Sequence, residues 1–148
     1  MNDQELVAPR GVDNVRELVD LVDLSKIVTY SLSASRVANN MAADDMPQQS
    51  IEALSRHHDT GIEARFVLDV EVPGAKFMAD ISAQFAYCEP LTLSPTVAED
   101  FLSEVALMVV FPYLRESVMS LASRLGMDGL VVGLVKRGDF KFGRKPAP

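Results

Sequence analysis

Hydrophobic residues recur along this chain with two different periods. Between residues 65 and 87 the period is that of a strand. Phe66, Leu68, Val70 and Val72 alternate with Arg65, Val67, Asp69 and Glu71. Pro73 and Gly74 supply a turn, and Phe77, Ala79, Ile81, Ala83, Phe85 and Tyr87 then alternate with Lys76, Met78, Asp80, Ser82 and Gln84. The pattern predicts a long antiparallel hairpin with one apolar face. Earlier, Val28, Tyr30, Leu32 and Ala34 alternate with Ile27, Thr29, Ser31 and Ser33, a strand with one covered face and one wet one. Before it, Val15, Leu18, Val19 and Val22 fall at i, i+3, i+4 and i+7, a short amphipathic helix with Asp13 as candidate N-cap. Residues 51–59 fit neither period cleanly, and propensity permits a helix there.

After Pro90 and Pro95 the period becomes helical. Thr96 with Glu99 three residues on has the form of a capping box. Val97, Phe101, Val105, Met108 and Pro112 run down one face, continued by Leu114, Val118, Leu121 and Leu125. Pro112 is expected to kink or break the helix, and Gly126 and Gly129 to end it. The stretch from Val105 through Met108 and Val109 to Phe111 is apolar all round. Such a helix must be buried on every side, and one sheet covers only one. The second cover is either another subunit or the chain's own N-terminal helix. Val105, Met108, Val109, Phe111 and Met119 are the candidate oligomer interface. Leu130, Val131, Val132, Leu134 and Val135 form an apolar stretch beyond the helix. Residues 38–50 read as a loop that carries Met41 and Met46, flexible thioethers suited to promiscuous apolar contact. Residues 1–12 read as a loose N-terminus, 13–135 as one domain, and 136–148 as a flexible basic tail.

Composition sharpens this picture. A chain of 148 residues, 48% hydrophobic and 24% charged, suits one globular domain. The longest wholly apolar run is about half the ~18 residues a membrane helix needs, so no membrane insertion is expected. The N-terminus lacks the basic-then-apolar order of a secretory signal, and the single Cys88 fits a reducing compartment, so a cytoplasmic location is expected. From Lys136 onward five basic residues face one acidic, so a chain of net charge −7 carries −11 in its body. Such a body repels phosphate backbones and attracts basic chains. Nucleic acid is therefore not an expected partner.

Catalytic signatures are sparse. No phosphate loop, nucleophile elbow, zinc spacing or dinucleotide fingerprint occurs. His57-His58-Asp59 is the one provocative cluster, but adjacent histidines on a strand face opposite ways and do not share one metal. A polar strand end or turn accounts for it. Cys88 lacks a flanking base, and Asp44-Asp45 reads as a solvated loop. Neither a cofactor nor a metal is expected.

Val110-Phe-Pro-Tyr-Leu-Arg-Glu-Ser-Val-Met-Ser-Leu-Ala-Ser-Arg124 resembles the helix signature of the SecB chaperone family, and Lys76-Phe-Met-Ala-Asp-Ile81 resembles that family's third strand. The resemblance spans about residues 24–135. It implies an α+β fold, with a four-stranded antiparallel Greek-key sheet packed on a long helix and a crossover loop between the first two strands. Residues 49–57 would then be a strand. It also implies a dimer of dimers with the long helices between two sheets, and long apolar grooves that hold an unfolded preprotein or an antitoxin-like client. The corresponding groove positions here are Met41, Met46, Ile51, Met127, Leu130, Val132 and Leu134. Export-pathway members continue into a second helix and a tail that contacts the translocation ATPase. Residues 136–148 are too rich in charge, glycine and proline for a good helix, which counts against that docking. The N-terminal helix is instead similar to that of SecB-like chaperones paired with toxin–antitoxin systems. Two other classes share the outline: a hotdog thioesterase, with His57 or Asp59 as base and Glu99 and Asp100 at the helix start, and a purely structural oligomer. An enzyme needs a closed small pocket with a perturbed titratable group; a chaperone needs an open apolar groove.

Overall fold

A computed structural model describes residues 8–133 and 140–142. The elements run β1 (Arg10–Val12), α1 (Val15–Val19), β2 (Val22–Arg36), β3 (Gln48–His58), β4 (Gly61–Val72), β5 (Ala75–Tyr87), β6 (Leu91–Leu93), α2 (Pro95–Phe101), a π-helical turn (Leu102–Ala106), α3 (Leu107–Arg124) and β7 (Phe140–Phe142). Strands β2 to β5 make the antiparallel sheet in the order β2-β5-β4-β3, the Greek-key arrangement, and β7 adds to the far edge in parallel. The fold is α+β, as the sequence implies.

The central hairpin matches its alternation. Val72 pairs with Ala75 across Pro73-Gly74, and Gly74 takes the positive φ that this turn demands of its third residue. Alternate residues of β4 and β5, among them Phe66, Leu68, Ile81 and Ala83, are buried on one face. The preceding hairpin turns at Asp59-Thr60, so β3 is a strand and not the helix its propensity permits. A tight approach fixes that corner: a Cβ on Gly61 would sit 2.6 Å from the Phe85 carbonyl oxygen.

β2 departs from the simple alternation. Its register shifts between Leu24 and Lys26 and again between Thr29 and Ser31. Each bulge flips the faces of the residues beyond it. Leu32 and Ala34 therefore stand in register with the buried Ala79 and Phe77, while Val28 pairs with Ser82. Tyr30 reaches the outer face, where its hydroxyl donates to Glu63 at 2.6 Å and Arg65 lies 4.1 Å over its ring. One unbroken face through Val28, Tyr30, Leu32 and Ala34 does not exist.

The helical run holds two corrections. Ser94, not Thr96, caps it: its Oγ accepts from the Val97 amide, with Pro95 in the first turn. Pro112 does not break it, because α3 continues from Leu107 to Arg124. The irregularity lies earlier, in the π-turn at Leu102–Ala106. The extra residue rotates the downstream helix by about one position, ~100°. The buried stripe consequently runs Phe101, Leu102, Ala106, Val110, Leu114, Val118, Ala122. Val105 is only half-buried, while Pro112 and Met108 face outward, Met108 at 73% exposure. The whole run, Pro95–Arg124, is long and apolar enough by length and composition to cross a membrane, though only 28% of its apolar window is buried within the chain. Core helices of globular proteins meet the same criterion.

Small elements complete the body. Asn14, one residue beyond the expected Asp13, caps α1 by accepting from the Glu17 amide. Residues 10–12, expected to be loose, pair in parallel with Leu91–Leu93. Strand β7 lies within the segment expected to be a flexible tail. Residues 1–7, the rest of that tail and Leu134 lie outside the described residues.

A polar network knits the sheet's outer face. Arg65 grips Asp80 through two hydrogen bonds of 2.8 and 2.7 Å. Glu63 accepts from Tyr30, Ser82 and Gln84. Partial burial pulls the Glu63 pKa upward, but these three hydrogen bonds outweigh it and leave the carboxyl below its ordinary 4.5. A depressed carboxyl contributes stability that is complete above the unfolded value and lost as pH falls through the folded one. Tyr30→Phe removes one donor and is expected to cost about 1 kcal/mol at neutral pH. The cost should shrink as pH falls below 4.5 and vanish once Glu63 is protonated. Urea titrations from neutral into acid pH check this; a pH-independent difference would contradict the network.

Candidate client-binding site

α3 packs chiefly on β5, flanked by β2 and β4. The apolar face of β3 therefore needs another cover, and the chain beyond the helix supplies it. Gly126 and Gly129, both at positive φ, turn the backbone back after α3. The Met127 amide donates to the Ala122 carbonyl, closing the last helical turn. The chain leaves α3 at the end of β2, where Arg36 donates to the Leu125 carbonyl, and reaches β3 at Gly133. The Gln49 side-chain amide brackets Gly133, donating to its carbonyl at 3.3 Å and accepting from its amide at 3.2 Å. Val132 drops into the core at 2% exposure, alongside Ile51 at 1%. Met127 and Leu130 pack against that core while half-buried. Val131, between them, is turned outward and exposed.

Of the expected groove residues, Ile51 and Val132 are buried in the core, while Met127 and Leu130 pack against it half-buried. A ligand does not reach Ile51 or Val132 in this conformation. Met41 and Met46 belong to the crossover loop 37–47. That loop is tied to the β4–β5 hairpin by Asn39, which donates to the Val72 carbonyl and accepts from the Gly74 amide. Asp45 accepts from the Ala42 amide, which accounts for this acid within a turn. Met41 is half-buried, and Met46 stands out at 80% exposure.

Beside the start of β3 lies an open cleft of about 380 Å³ lined by Gln48, Gln49, Ser50, Asp69, Val70, Glu71, Lys76 and Phe77. Asp69, Glu71 and Lys76 border it, the last two 3.7 Å apart as an ion pair, while Val70 and Phe77 are buried in the core. Burial, and then the charge of Glu52, push Asp69 above its ordinary value. Sequence reasoning assigns Val70 and Phe77 to the core by strand alternation, and both are buried there. It passed over Val131, whose signal was its place between Leu130 and Val132 in an extended run.

The catalytic alternative fares differently. His58 lies on the outer face, with Nδ1 2.8 Å from the Thr60 hydroxyl, while His57 is half-buried on the inner face. Asp59, Glu99 and Asp100 are exposed. His58 and Glu63 line one open cleft of about 270 Å³, where Glu63 is engaged by Tyr30, Ser82 and Gln84. Among the described residues, no three His, Cys, Asp or Glu side chains gather as a metal site.

Comparison with known proteins decides the family. The chain is 30% identical over 130 residues to the SecB-like chaperone SmegB of Mycolicibacterium smegmatis, covering 88% of this chain and 86% of that one. The chain belongs to the SecB-like chaperone family. No family model matches it. In solved structures, its fold is similar to the Mycobacterium tuberculosis Rv1957 SecB-like chaperone, in complex with a ChAD peptide from the Rv1956 HigA1 antitoxin. The TM-score is 0.69 at 15% identity, with 82% of this chain and 93% of that one covered. The sheet order, the crossover loop and the long helix of this SecB-like chain are those implied by its helix signature.

The Gln49–Gly133 bracket is a restraint on the segment beyond α3 that one substitution removes. Gln49→Ala is expected to leave the fold intact and to lower hydrogen-exchange protection of the Gly133 amide about tenfold, the worth of roughly one net hydrogen bond. Unchanged protection would mean that Val132 alone holds the segment down.

Proposed function

We propose that this SecB-like protein is a holdase whose client is a disordered, antitoxin-type polypeptide. The observation that carries the reading is the apolar segment beyond α3, where Met127 and Leu130 are half-buried and Val131 is exposed, together with the exposed Met46 of the crossover loop. The ChAD peptide held by the Mycobacterium tuberculosis relative supports an antitoxin segment over a general preprotein. The net negative charge of the chain favours a client that is basic as well as apolar. The relatives are named as chaperones, which supports binding without turnover. A location in the cytoplasm, where such clients are made, agrees with this reading.

The working unit of the proposal is a homo-oligomer, two dimers forming a tetramer. Leu24 and Leu32 on the edge strand β2 are 49% and 44% exposed, and Met108, Tyr113 and Met119 line the outer side of α3. A cleft of about 450 Å³ between Pro112, Arg115, Glu116, Met119 and Ser120 lies on that helix. Val105, Val109 and Phe111 are half-buried beside this stripe. A second copy is the cover that hides both surfaces at once. Light scattering at micromolar concentration should give a mass well above 16.2 kDa, and Met119→Asp should lower it. A monomeric wild type would overturn the assembly.

Client binding has its own test. Met46→Asp is expected to weaken capture of an unfolded client about tenfold without changing the oligomer's mass, since a carboxylate in an apolar contact is costly to desolvate. Leu130→Asp should act in the same direction. Salt should slow association and leave dissociation nearly unchanged, because steering is screened and apolar contact is not. Full binding by an intact Met46→Asp oligomer would remove the crossover loop from the site.

A further inference from the structure

The outer edge of β3 is occupied by the chain's own C-terminal segment. Phe140, Lys141 and Phe142 pair in parallel with Ile51, Glu52 and Ala53. An open strand edge is a row of unpaired amides and carbonyls that templates any extended chain. The occupant is short: three residues against the eleven of β3. Its order is apolar–basic–apolar, and the register sets its basic position beside Glu52 and its apolar positions beside the buried Ile51 and Ala53. Phe142 remains 46% exposed, so this strand is incompletely covered. On the outer face next to this edge stand Glu52 and, one strand in, Asp69, whose pKa is raised by burial and then by Glu52. Two like charges at an edge favour a basic arrival. The tail around β7 is the basic part of the chain and the body is the acidic part.

We propose that the β3 edge is a strand-addition site for an extended client segment of alternating apolar and basic residues, running parallel to β3, and that β7 occupies it as a built-in competitor. This rests on the holdase reading and specifies how the client is held. Backbone pairing supplies affinity, and alternate side chains supply specificity. Release of β7 then sets the apparent affinity, which is reduced in proportion to the fraction of molecules with a free edge.

A reversible lock tests it in the full-length chain. With Cys88→Ser as background, Glu52→Cys and Lys141→Cys place thiols at in-register positions of neighbouring strands, ~4.8 Å apart at Cα and within disulfide reach. Diamide closes the lock and dithiothreitol opens it. The probe is a fluorescein-labelled peptide of residues 137–145, with a control in which the two Phe residues are adjacent. The reduced protein is expected to bind the probe at least about tenfold more tightly than the oxidised one, and to prefer it to the control. A full-length Lys141→Pro/Phe142→Pro variant, which removes amide donors of both strand parities, should bind more tightly than the reduced form. Equal affinity in the two redox states overturns the inference. Suppression of aggregation of an unfolded client is measured on the same samples. If the locked protein suppresses aggregation as well as the open one, the holdase reading stands and the edge inference falls. If no form suppresses aggregation or binds the probe, both fall.

Discussion

A helix with its side chains is about 10 Å across, and strands in a sheet lie ~4.8 Å apart. One helix can therefore cover little more than two strands. This chain builds four strands with a shared apolar face and has one long helix to lay on them. α3 sits over β5 with β2 and β4 beside it, and β3 is left over. That mismatch of widths sets most of what is distinctive in the molecule. On the β2 side, Leu24 and Leu32 stay half-open. On the β3 side, Ile51 and Ala53 are buried, Gln49 holds Gly133, and β7 pairs along the edge.

Those two covers differ in kind from the helix. The helix contributes a stripe of buried residues from Phe101 to Ala122, with Phe101 edge-on to Phe85 at 5.0 Å. Truncating a buried Phe costs ~3–5 kcal/mol, so this half of the core is fixed. The covering segment contributes one fully buried valine, two half-buried side chains and one bracketing amide. A surface can be both core and binding site only if part of its cover is replaceable. The β3 side has that property and the helix side does not.

Legibility divides along the same line. The β4–β5 hairpin was readable because both faces keep strict alternation through thirteen residues of β5. The helix motif was readable because its residues form a recognisable signature. Three features were not. The bulges in β2 leave no composition signal, so period-two reasoning carried Val28 and Tyr30 onto the wrong face. The π-turn shifts the helix phase by one residue, and a fixed 3.6 period cannot see an insertion of backbone hydrogen bonding. β1 and β7 are three-residue strands whose existence depends on partners far away in sequence, Leu91–Leu93 and Ile51–Ala53, and local propensity says nothing about either. Of the candidate site, Met41, Met46, Ile51, Met127, Leu130 and Val132 were named from resemblance, whereas the exposure of Val131 emerged only from the structure.

The energetics of the β3 cover explain why a holdase would keep it. Burying Val132 is worth ~1.5–3 kcal/mol, and each neutral hydrogen bond to Gln49 contributes ~1 kcal/mol net. Ordering a backbone residue costs ~1–2 kcal/mol, so a segment of several residues is held by gains and costs of the same size. Such a segment opens at the low-stability end of the molecule, far more readily than the helix. A client that brings an aromatic or leucine to the β3 side replaces the valine with a larger apolar contact. It need only exceed a cover that is nearly balanced, and it leaves behind a protein whose helix-side core never opened. Under the proposed holdase role, weakness of the cover is what would let an apolar face be shielded when idle and given to a client when one arrives.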